Sequence, residues 1–360
     1  MPYTILHVAN FLSRPKGAGF ASIQYKLTNG LIRAGHNVVT FSDREVARAS
    51  TPFLSRKLGT KGANRRLLTL ATDLRPDLVL LGHADTIHPE TLAEIRQLLP
   101  GVRMAQWNVD PLFEEDNMAR IRSKQSAVDW TFATTAGPLL QALGAGGPAA
   151  FMPNPVDAGI ERGRSFEADG LPVDIFYAVG SAGFGRSHCG IDSSAGDIAG
   201  RLKDRLPARS FLLPGIDGPH LGGAACLDAM RSAKIGLNIS RRNDVRLYSS
   251  DRIAHLAGNG LVVMIDRATG YGDLFAEDEL GFYSTEDELV DKLDRLTRDD
   301  NARKALGKRG WRAYRSMFDA TRVAQYMVGV LDGRIDAAGF DWRTRPHCKV
   351  VPEPARCQVA

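Results

Sequence analysis

Residues Tyr248 to Asp266 read Tyr-Ser-Ser-Asp-Arg-Ile-Ala-His-Leu-Ala-Gly-Asn-Gly-Leu-Val-Val-Met-Ile-Asp, and this stretch decides the expected fold. The polar residues at 249–251 are of the types that cap a helix start, because their side chains accept hydrogen bonds from free N–H groups. Gly258-Asn259-Gly260 is typical of a helix end, so the predicted helix is short. The apolar run Leu261 to Ile265 follows at once and predicts a buried strand. A helix start at the edge of a sheet is a favourable place for an anion.

The composition is that of an ordinary globular protein. The chain has 360 residues, 44% of them hydrophobic and 24% charged, which suits two domains with their own cores. The formal net charge of +5 is too small to indicate nucleic-acid binding. Residues 1–4 show neither a basic n-region nor a cleavage site, and no run of 18 apolar residues occurs, so we expect a soluble or at most peripheral protein. The cysteines lack zinc-site spacing, so reduced thiols in a cytoplasmic protein are expected at Cys189, Cys226, Cys348 and Cys357.

Residues 1–157 show the strand–helix alternation of a Rossmann-like domain. The strand Thr4 to Asn10 is followed by a glycine-containing loop at 14–19, a helix and a second strand, Asn37 to Phe41. This spacing favours a parallel sheet covered on both faces. Four further strands are predicted at Asp77 to Leu81, Arg103 to Val109, Trp130 to Thr134 and Ala149 to Met152.

The alternation stops at a polar, glycine-containing segment, 158–171, which predicts the linker, and then restarts in a second Rossmann-like domain at 172–318. Residues 319–331 are predicted to form a final helix and 332–360 a loosely ordered tail. Ligands bind at the carboxyl ends of parallel strands, so two such domains predict a site in the cleft between them. The five predicted strands are Asp174 to Gly180, Ser210 to Leu213, Ile235 to Ile239, Leu261 to Ile265 and Gly281 to Tyr283.

The segment from Glu45 to Asp73 is unusually basic, because no acidic residue lies between these two. One interpretation is a solvated loop and helix face. The other is contact of the basic region 48–66 with an anionic membrane surface or an anionic acceptor, each cation contributing about 1 kcal/mol near such a surface. On this second interpretation the protein is peripheral at the inner face of the membrane. The cations are Arg48, Arg56, Lys57, Lys61, Arg65 and Arg66.

Several catalytic classes are excluded by missing motifs. The dinucleotide fingerprint is incomplete, because Ser22 stands where the third glycine after Gly17 and Gly19 belongs, although Asp43 at the end of the second strand fits an NAD-binding unit. The chain has no P-loop, no HExxH, no Asp-rich metal loop and no G-x-S-x-G elbow. We therefore expect no cofactor and no metal ion.

Two features of the second domain favour a diphosphate ligand. A glycine-rich turn, Gly180 to Ser187, follows its first strand, and the backbone N–H groups of such a turn together with Arg186 suit a diphosphate. A flexible loop without function is the alternative. Arg241, Arg242 and Arg246 directly precede the predicted short helix, at the carboxyl edge of the sheet.

The stretch Ile235 to Val330 resembles the C-terminal domain of GT-B glycosyltransferases, and most closely the family-1-like group that includes CgeB-type spore-maturation proteins. In the first domain, Met104 to Asp110 is similar to the Trp-x-x-Asp stretch of that group. The motifs that carry the resemblance are Ile235-Gly-Leu-Asn-Ile-Ser240, Ser250-Asp-Arg-Ile253, Ala257-Gly-Asn-Gly-Leu-Val262, Thr269-Gly270, Gly281-Phe-Tyr283, and the helical positions Arg309, Gly310, Tyr314 and Phe318.

The resemblance implies two facing Rossmann-like domains, a nucleotide-sugar held mainly by the second and an acceptor met by the first. It also implies that the final helix crosses back to the first domain. The candidate donor-binding residues are Gly183, Gly185, Arg186, Arg246, Tyr248, Ser250, Asp251, Arg252, His255, Thr269 and Gly270. On the acceptor side the candidates are Lys16, Gly17 and Gly19.

His255 departs from the family pattern. Many GT-B enzymes have a glutamate three residues after the position of Arg252, where it holds both ribose hydroxyls. A neutral imidazole accepts one hydrogen bond where a carboxylate accepts two, and losing one buried bond costs roughly 1–3 kcal/mol. Either the ribose is held differently, the donor is unusual, or His255 is structural. Leu247 stands in place of the other glutamate of many retaining members, so retention or inversion stays open.

A transferase that works by direct displacement needs a base for the acceptor hydroxyl. His83 with Asp85 follows the third strand, and Asp110 follows the fourth, so these three are the catalytic candidates; His7 on the first strand is a further one. We expect a metal-independent glycosyltransferase that moves a sugar to a hydroxyl of a saccharide or lipid-linked acceptor of cell-envelope type. A GT-B epimerase or hydrolase acting on the nucleotide-sugar, or a degenerate binding module, is the alternative.

Overall fold

The computed structural model describes residues 2–12, 19–334, 340 and 342, and these divide into two compact units. The first unit contains residues up to Pro153 together with Ala320 onward, and the second runs from Asn154 to Asp319. The boundary thus lies a few residues before the predicted one. No helix among the described residues is long and apolar enough to cross a bilayer.

The first unit is a six-stranded parallel sheet with helices on its faces. The strand order is β2-β1-β3-β4-β5-β6, and the central strands are buried along their length, as a sheet covered on both sides requires. Its strands are β1 (Thr4–Ala9), β2 (Asn37–Ser42), β3 (Leu78–Gly82), β4 (Arg103–Asn108), β5 (Trp130–Ala133) and β6 (Ala149–Phe151). Its helices are α1 (Ile23–Arg33), α2 (Asp43–Ala49), α3 (Arg56–Leu74), α4 (Pro89–Leu98), α5 (Glu115–Gln125) and α6 (Pro138–Gly144).

The second unit repeats the same topology with a five-stranded parallel sheet, β10-β7-β11-β12-β13. Its core is formed by apolar strand residues packed against α7 and α10. The strands are β7 (Val173–Phe176), β10 (Phe211–Leu212), β11 (Ala233–Leu237), β12 (Val262–Asp266) and β13 (Gly281–Tyr283), with a separate hairpin of β8 (Gly185–His188) and β9 (Ile191–Ser194). The helices are α7 (Ala195–Arg205), α8 (Gly223–Arg231), α9 (Arg252–Gly258), α10 (Glu286–Arg298) and α11 (Asp300–Phe318).

The final helix, α12 (Ala320–Leu331), belongs to the first unit, where it packs on α1. The two helices approach so closely that a Cβ atom on Gly30 would lie 2.1 Å from the carbonyl oxygen of Ala320. Most of the predicted tail lies outside the described residues. Its first residue, Asp332, is ion-paired with Arg103 at the start of β4.

The segment predicted as a linker, 158–171, packs within the second unit. Ile160 and Phe166 are buried, and a short 3-10 helix forms at Ser165–Glu167. Arg303 of α11 holds this helix by donating from Nη1 to the carbonyl oxygen of Ser165 (3.0 Å) and from Nη2 to that of Ala168 (2.9 Å). The linker prediction is therefore wrong. The polar composition of the segment gave no indication that Ile160 and Phe166 are buried or that Arg303 contacts its backbone.

Candidate functional site

The second sheet has its topological switch point between the adjacent strands β7 and β11. From β7 the chain continues to β10 on one side of the sheet, and from β11 it continues to β12 on the other side. Tyr177 directly follows β7, and Arg252 begins the helix after β11. The Arg252 guanidinium lies over the Tyr177 ring, 5.3 Å from its centroid, and the Nε of Arg186 donates to the Tyr177 hydroxyl (3.3 Å). Two arginines therefore converge on one tyrosine at the edge where ligands bind in this topology.

These two arginines have no carboxylate within ion-pair distance among residues 2–12 and 19–334. Arg186 is buried and donates to its neighbour's carbonyl, while Arg252 donates to Ser250 Oγ (3.0 Å) and to the carbonyl oxygen of Ile239 (3.4 Å). Burial lowers the pKa of Arg252 and the positive charge of Arg186 lowers it further, while Tyr177 and Asp251 act in the opposite direction. Buried positive charge without a counter-charge is unfavourable, so this cluster is suited to an anionic ligand.

The glycine-rich turn takes a different form from the expected diphosphate loop. Gly183 lies in a turn and Gly185 begins β8, so Arg186 is held on a strand of the β8–β9 hairpin. Neither glycine has a positive φ, whereas an anion-binding nest of backbone N–H groups requires left-handed residues. A Cβ atom would meet nothing within 4 Å at either glycine, which leaves open space beside the arginine.

The helix start at 249–251 is not capped by its side chains. Helix α9 has seven residues, and no side-chain cap hydrogen bond is made by Asp251. Ser249 Oγ is instead buried and bonded to Asn238 after β11 (3.0 Å from its Nδ2), while Ser250 Oγ accepts from Arg252. The predicted capping is therefore wrong, because partners from the β11 loop and from Arg252 take the serine hydroxyls.

His255 has a buried carboxylate beside it. Its Nδ1 lies 2.7 Å from Oε1 of Glu161, which is fully buried, and its Nε2 lies 3.8 Å from Oδ2 of Asp251. Glu161 Oε2 accepts a hydrogen bond from the backbone N–H of Asp157 (2.8 Å), which fixes the carboxylate. Sequence reasoning missed Glu161, because it lies in the segment taken for a linker.

The loops after β11 and β12 are joined beside this helix. The N–H of Leu247 donates to the carbonyl oxygen of Thr269 (2.8 Å), with Leu247 in a left-handed conformation (φ 51°). Arg246 is ion-paired with Asp273, and its guanidinium lies against Gly270, where a Cβ atom would come within 2.1 Å of Nη1. Tyr248 is buried in the same region. Arg246 thus has a carboxylate partner, in contrast to Arg186 and Arg252.

One cluster near the ends of β8 and β12 contains residue types that bind metals. The ligand atoms of His188, Cys189 and Asp266 lie within 4.8 Å of one another. Both Asp266 oxygens accept backbone N–H groups, from Cys189 (3.0 Å) and from Ala268 (2.9 Å). Burial, with the nearby carboxylates, raises the pKa of Cys189 to about 12, so its thiol is protonated at neutral pH. Hydrogen bonding within the fold accounts for this arrangement.

In the first unit, His83 and Asp110 come together at the carboxyl ends of β3 and β4. His83 Nδ1 lies 3.6 Å from Asp110 Oδ2 and 3.3 Å from Asn108 Nδ2, and Asp110 is half-exposed. His83 and Ala84 both have left-handed φ values, 57° and 43°, which is strained for residues with side chains and frequent at functional sites. Burial lowers the pKa of His83, and Asp110 opposes this shift, so the imidazole is neutral at pH 7 and can accept a proton.

The other candidates of the first unit have different surroundings. Asp85 is ion-paired with Arg44 and is not the partner of His83 that the sequence predicts. His7 is fully buried, its Nε2 accepts from Trp107 Nε1 (3.1 Å), and burial lowers its pKa to about 3. It therefore has a structural role and is removed from the list of bases. Gly19 lies in a turn before α1, whereas Lys16 and Gly17 lie outside the described residues.

Comparison with known proteins identifies the class of fold. Residues 197–329 match the protein-family model described as glycosyl transferase-like. No curated protein matches the chain. HepE from Anabaena, in complex with UDP and glucose, is 13% identical over 92% of this chain and 100% of that chain, with a TM-score of 0.56.

Two further solved structures are similar to the same extent. AviGT4, a glycosyltransferase involved in avilamycin A biosynthesis, is 16% identical over 92% of this chain and 99% of its own, with a TM-score of 0.56. A UDP-forming trehalose-phosphate synthase from Burkholderia xenovorans is 12% identical over 94% and 100%, also with a TM-score of 0.56. The predicted GT-B glycosyltransferase fold of two Rossmann-like units is thereby confirmed, while the CgeB-type subgroup stays a prediction.

Proposed function

We propose that this protein is a glycosyltransferase that moves a sugar from a nucleoside-diphosphate donor to a hydroxyl of a saccharide or lipid-linked acceptor. The observation that carries the proposal is the pair of the buried Arg186 and the half-buried Arg252 at the switch point of the second sheet, with no carboxylate at ion-pair distance among residues 2–12 and 19–334. The glycosyl transferase-like match over 197–329 and the UDP complex of HepE from Anabaena support a nucleotide-sugar as the ligand.

The chemistry divides between two sets of side chains. Arg186 and Arg252 stabilise the negative charge that develops on the diphosphate as the glycosidic bond breaks, because they are positively charged and already in place. His83, neutral at pH 7, accepts the proton of the acceptor hydroxyl, and Asp110 stabilises the imidazolium that forms. Neither step depends on a metal ion.

Binding is tested by thermal-shift measurements with UDP, GDP, dTDP and ADP and with their sugars. One base should raise the melting temperature, the shift should be lost in Arg252→Ala, and it should persist in Arg242→Ala. Arg242 is a matched control, because it lies on the same edge but is exposed and paired with Asp244. No response to any nucleotide would contradict the proposal and favour a degenerate binding module.

Turnover is tested by the release of the nucleoside diphosphate with and without saccharide acceptors. Release that depends on an acceptor supports transfer. Equal release without any acceptor would favour the alternative, a hydrolase or epimerase of the same fold acting on the nucleotide-sugar.

A further inference from the structure

The turn between α2 and α3 exposes large apolar side chains that the proposed function does not use. Phe53 is 81% exposed, and Leu54 and Leu58 are each 66% exposed. We call these three residues the apolar tip. Single exposed leucines are common on soluble proteins, but three large apolar residues within six positions form a patch that indicates a binding surface.

The apolar tip is held in place by an ordered turn. The N–H of Leu54 donates to the carbonyl oxygen of Thr51 (3.1 Å), and the N–H of Ser55 donates to Thr51 Oγ1 (3.1 Å). Ser55 then caps α3 by accepting from the N–H of Leu58 (3.3 Å). Leu54 has a left-handed φ of 50°, a conformation that disfavours leucine. These hydrogen bonds therefore hold a strained turn in which the apolar side chains point into solvent.

The turn is also supported from beneath by close packing of its two helices. A Cβ atom on Gly59 would lie 1.7 Å from the carbonyl oxygen of Ala47, and one on Gly62 would lie 2.6 Å from Cβ of Ser50. The glycines thus let α3 lie directly against α2 below the turn.

Exposed cations follow the turn along α3. Leu58, Lys61 and Arg65 are spaced by three and four residues along α3, so they share one helical face. No ion-pair partner for these cations is found among residues 2–12 and 19–334, and no acidic residue occurs between Glu45 and Asp73. We call the following exposed cations the basic face: Arg56, Lys57, Lys61, Arg65 and Arg66.

From this combination we propose that the apolar tip and the basic face dock the protein on a bilayer that contains anionic lipid. Apolar side chains at the end of a helix enter the boundary between headgroups and acyl chains, while neighbouring lysines and arginines contact lipid phosphates. A soluble polyanion would need the cations but not the three apolar residues. A neutral protein partner would need the apolar residues but not five cations. An anionic membrane surface uses both sets.

The test is sedimentation of the full chain with vesicles of phosphatidylglycerol and phosphatidylcholine in equal parts, compared with vesicles of phosphatidylcholine alone. Binding is expected only to the anionic vesicles and should weaken strongly between about 0.1 M and about 0.5 M salt, because screening shortens the range of the attraction. Equal binding to both vesicle types, or binding that is insensitive to salt, would overturn the proposal.

Two double variants separate the two contributions. Phe53→Ser with Leu54→Ser should weaken vesicle binding roughly tenfold or more, since it removes two side chains that would be buried in the bilayer. Lys57→Glu with Lys61→Glu should weaken it roughly 30-fold or more, from about 1 kcal/mol per cation lost. Both pairs are exposed, so circular dichroism melts should match that of the unmodified chain.

Each double variant has a matched control. Lys308→Glu with Arg312→Glu makes the same charge change at the same spacing on α11, and Ile32→Ser with Leu98→Ser removes apolar residues that are 52% and 53% exposed elsewhere in the first unit. Controls that weaken binding as much as the test variants would refute the assignment of this surface. The surface would be assigned to self-association instead by two results together. The unmodified chain would fail to bind vesicles, and it would form a dimer that the Phe53→Ser, Leu54→Ser variant disrupts. Neither result bears on nucleotide binding, so the proposed function is tested separately.

Discussion

Replacing Arg186 with methionine should stabilise the ligand-free protein and weaken its binding of a nucleoside diphosphate. Methionine keeps an unbranched apolar stem while it removes one of the two positive charges beside Tyr177. The Tyr177 hydroxyl keeps its contact with the carbonyl oxygen of Ile239 (3.3 Å), so the substitution leaves no new buried polar group there. Stability should rise and affinity should fall for the same reason. Two neighbouring positive charges destabilise the ligand-free protein but stabilise a bound anion.

The expected magnitudes follow from the charge arrangement. Two unit charges that contact the same tyrosine side chain, in a medium of effective dielectric constant near 20, repel by roughly 1–3 kcal/mol. After some loss of packing, we expect the unfolding free energy without ligand to rise by about 1 kcal/mol, which for a unit of this size raises the melting temperature by roughly 2–4 °C. A charge-assisted hydrogen bond contributes about 1.5–3 kcal/mol, so the affinity for the diphosphate should fall roughly 10- to 150-fold.

Scanning calorimetry without ligand and titration calorimetry with the nucleotide measure the two quantities. Arg242→Met is the control, because that exposed arginine is already paired with Asp244 and should change neither quantity appreciably. A variant Arg186→Met that melts lower than the unmodified chain and binds the nucleotide equally well would refute the reasoning. Such a result would mean that Arg186 is a structural residue of the hairpin.

Further predictions concern the first unit and the buried pair on α9. His83→Gln should lower kcat about 100-fold with little change in nucleotide affinity, and Asp85→Asn, at a residue paired with Arg44, should have a much smaller effect. Because burial places the pKa of His83 below its usual 6.5, the acid limb of kcat/KM should lie below pH 6.5, and stability should decrease as pH falls below that value, since the unfolded chain then binds the proton first. Gly30→Ala should destabilise the first unit by roughly 2–4 kcal/mol in denaturant titrations, because backbone lies where the methyl group must go, and nucleotide binding to the second unit should persist. Glu161→Ala should destabilise the second unit by about 1–3 kcal/mol, since it leaves His255 Nδ1 without its carboxylate, and Glu161→Gln should recover part of that loss.

The eleven parallel strands of the described residues were predictable because most are short apolar runs that alternate with helices. A buried parallel strand needs both faces apolar, so composition alone reveals it, and β13 matches the predicted bounds of Gly281–Tyr283. The β8–β9 hairpin was not predictable in this way. Its first strand is Gly-Arg-Ser-His, without apolar alternation, and long-range bonds hold it, including that from the Ser187 N–H to the carbonyl oxygen of Arg241 (3.0 Å).

The sequence predicted which residues of the candidate site lie at strand ends, but it did not predict which of their side chains are in contact. Strand-end position selected His83 and Asp110 as separate candidates, which the structure brings together, but the sequence paired His83 with Asp85. The left-handed residues at 83–84 redirect the chain immediately after β3, and such a reversal at a histidine and an alanine has no sequence signal. Tyr177 was within a predicted strand, yet its role depends on two arginines that lie far apart in sequence.

His255, where the family resemblance leads us to expect a glutamate, has a buried carboxylate beside it. The family resemblance implies a glutamate there with two acceptor oxygens for the ribose, and here Glu161 places its carboxylate against Nδ1 of the imidazole instead. A neutral imidazole accepts one hydrogen bond where a carboxylate accepts two. Asp251, whose Oδ2 lies 3.8 Å from Nε2, begins the same turn of the chain and is partly exposed. If a ribose binds beside this helix, we expect Asp251 and His255 to supply, on adjacent side chains, the two acceptors that one glutamate supplies in the family pattern.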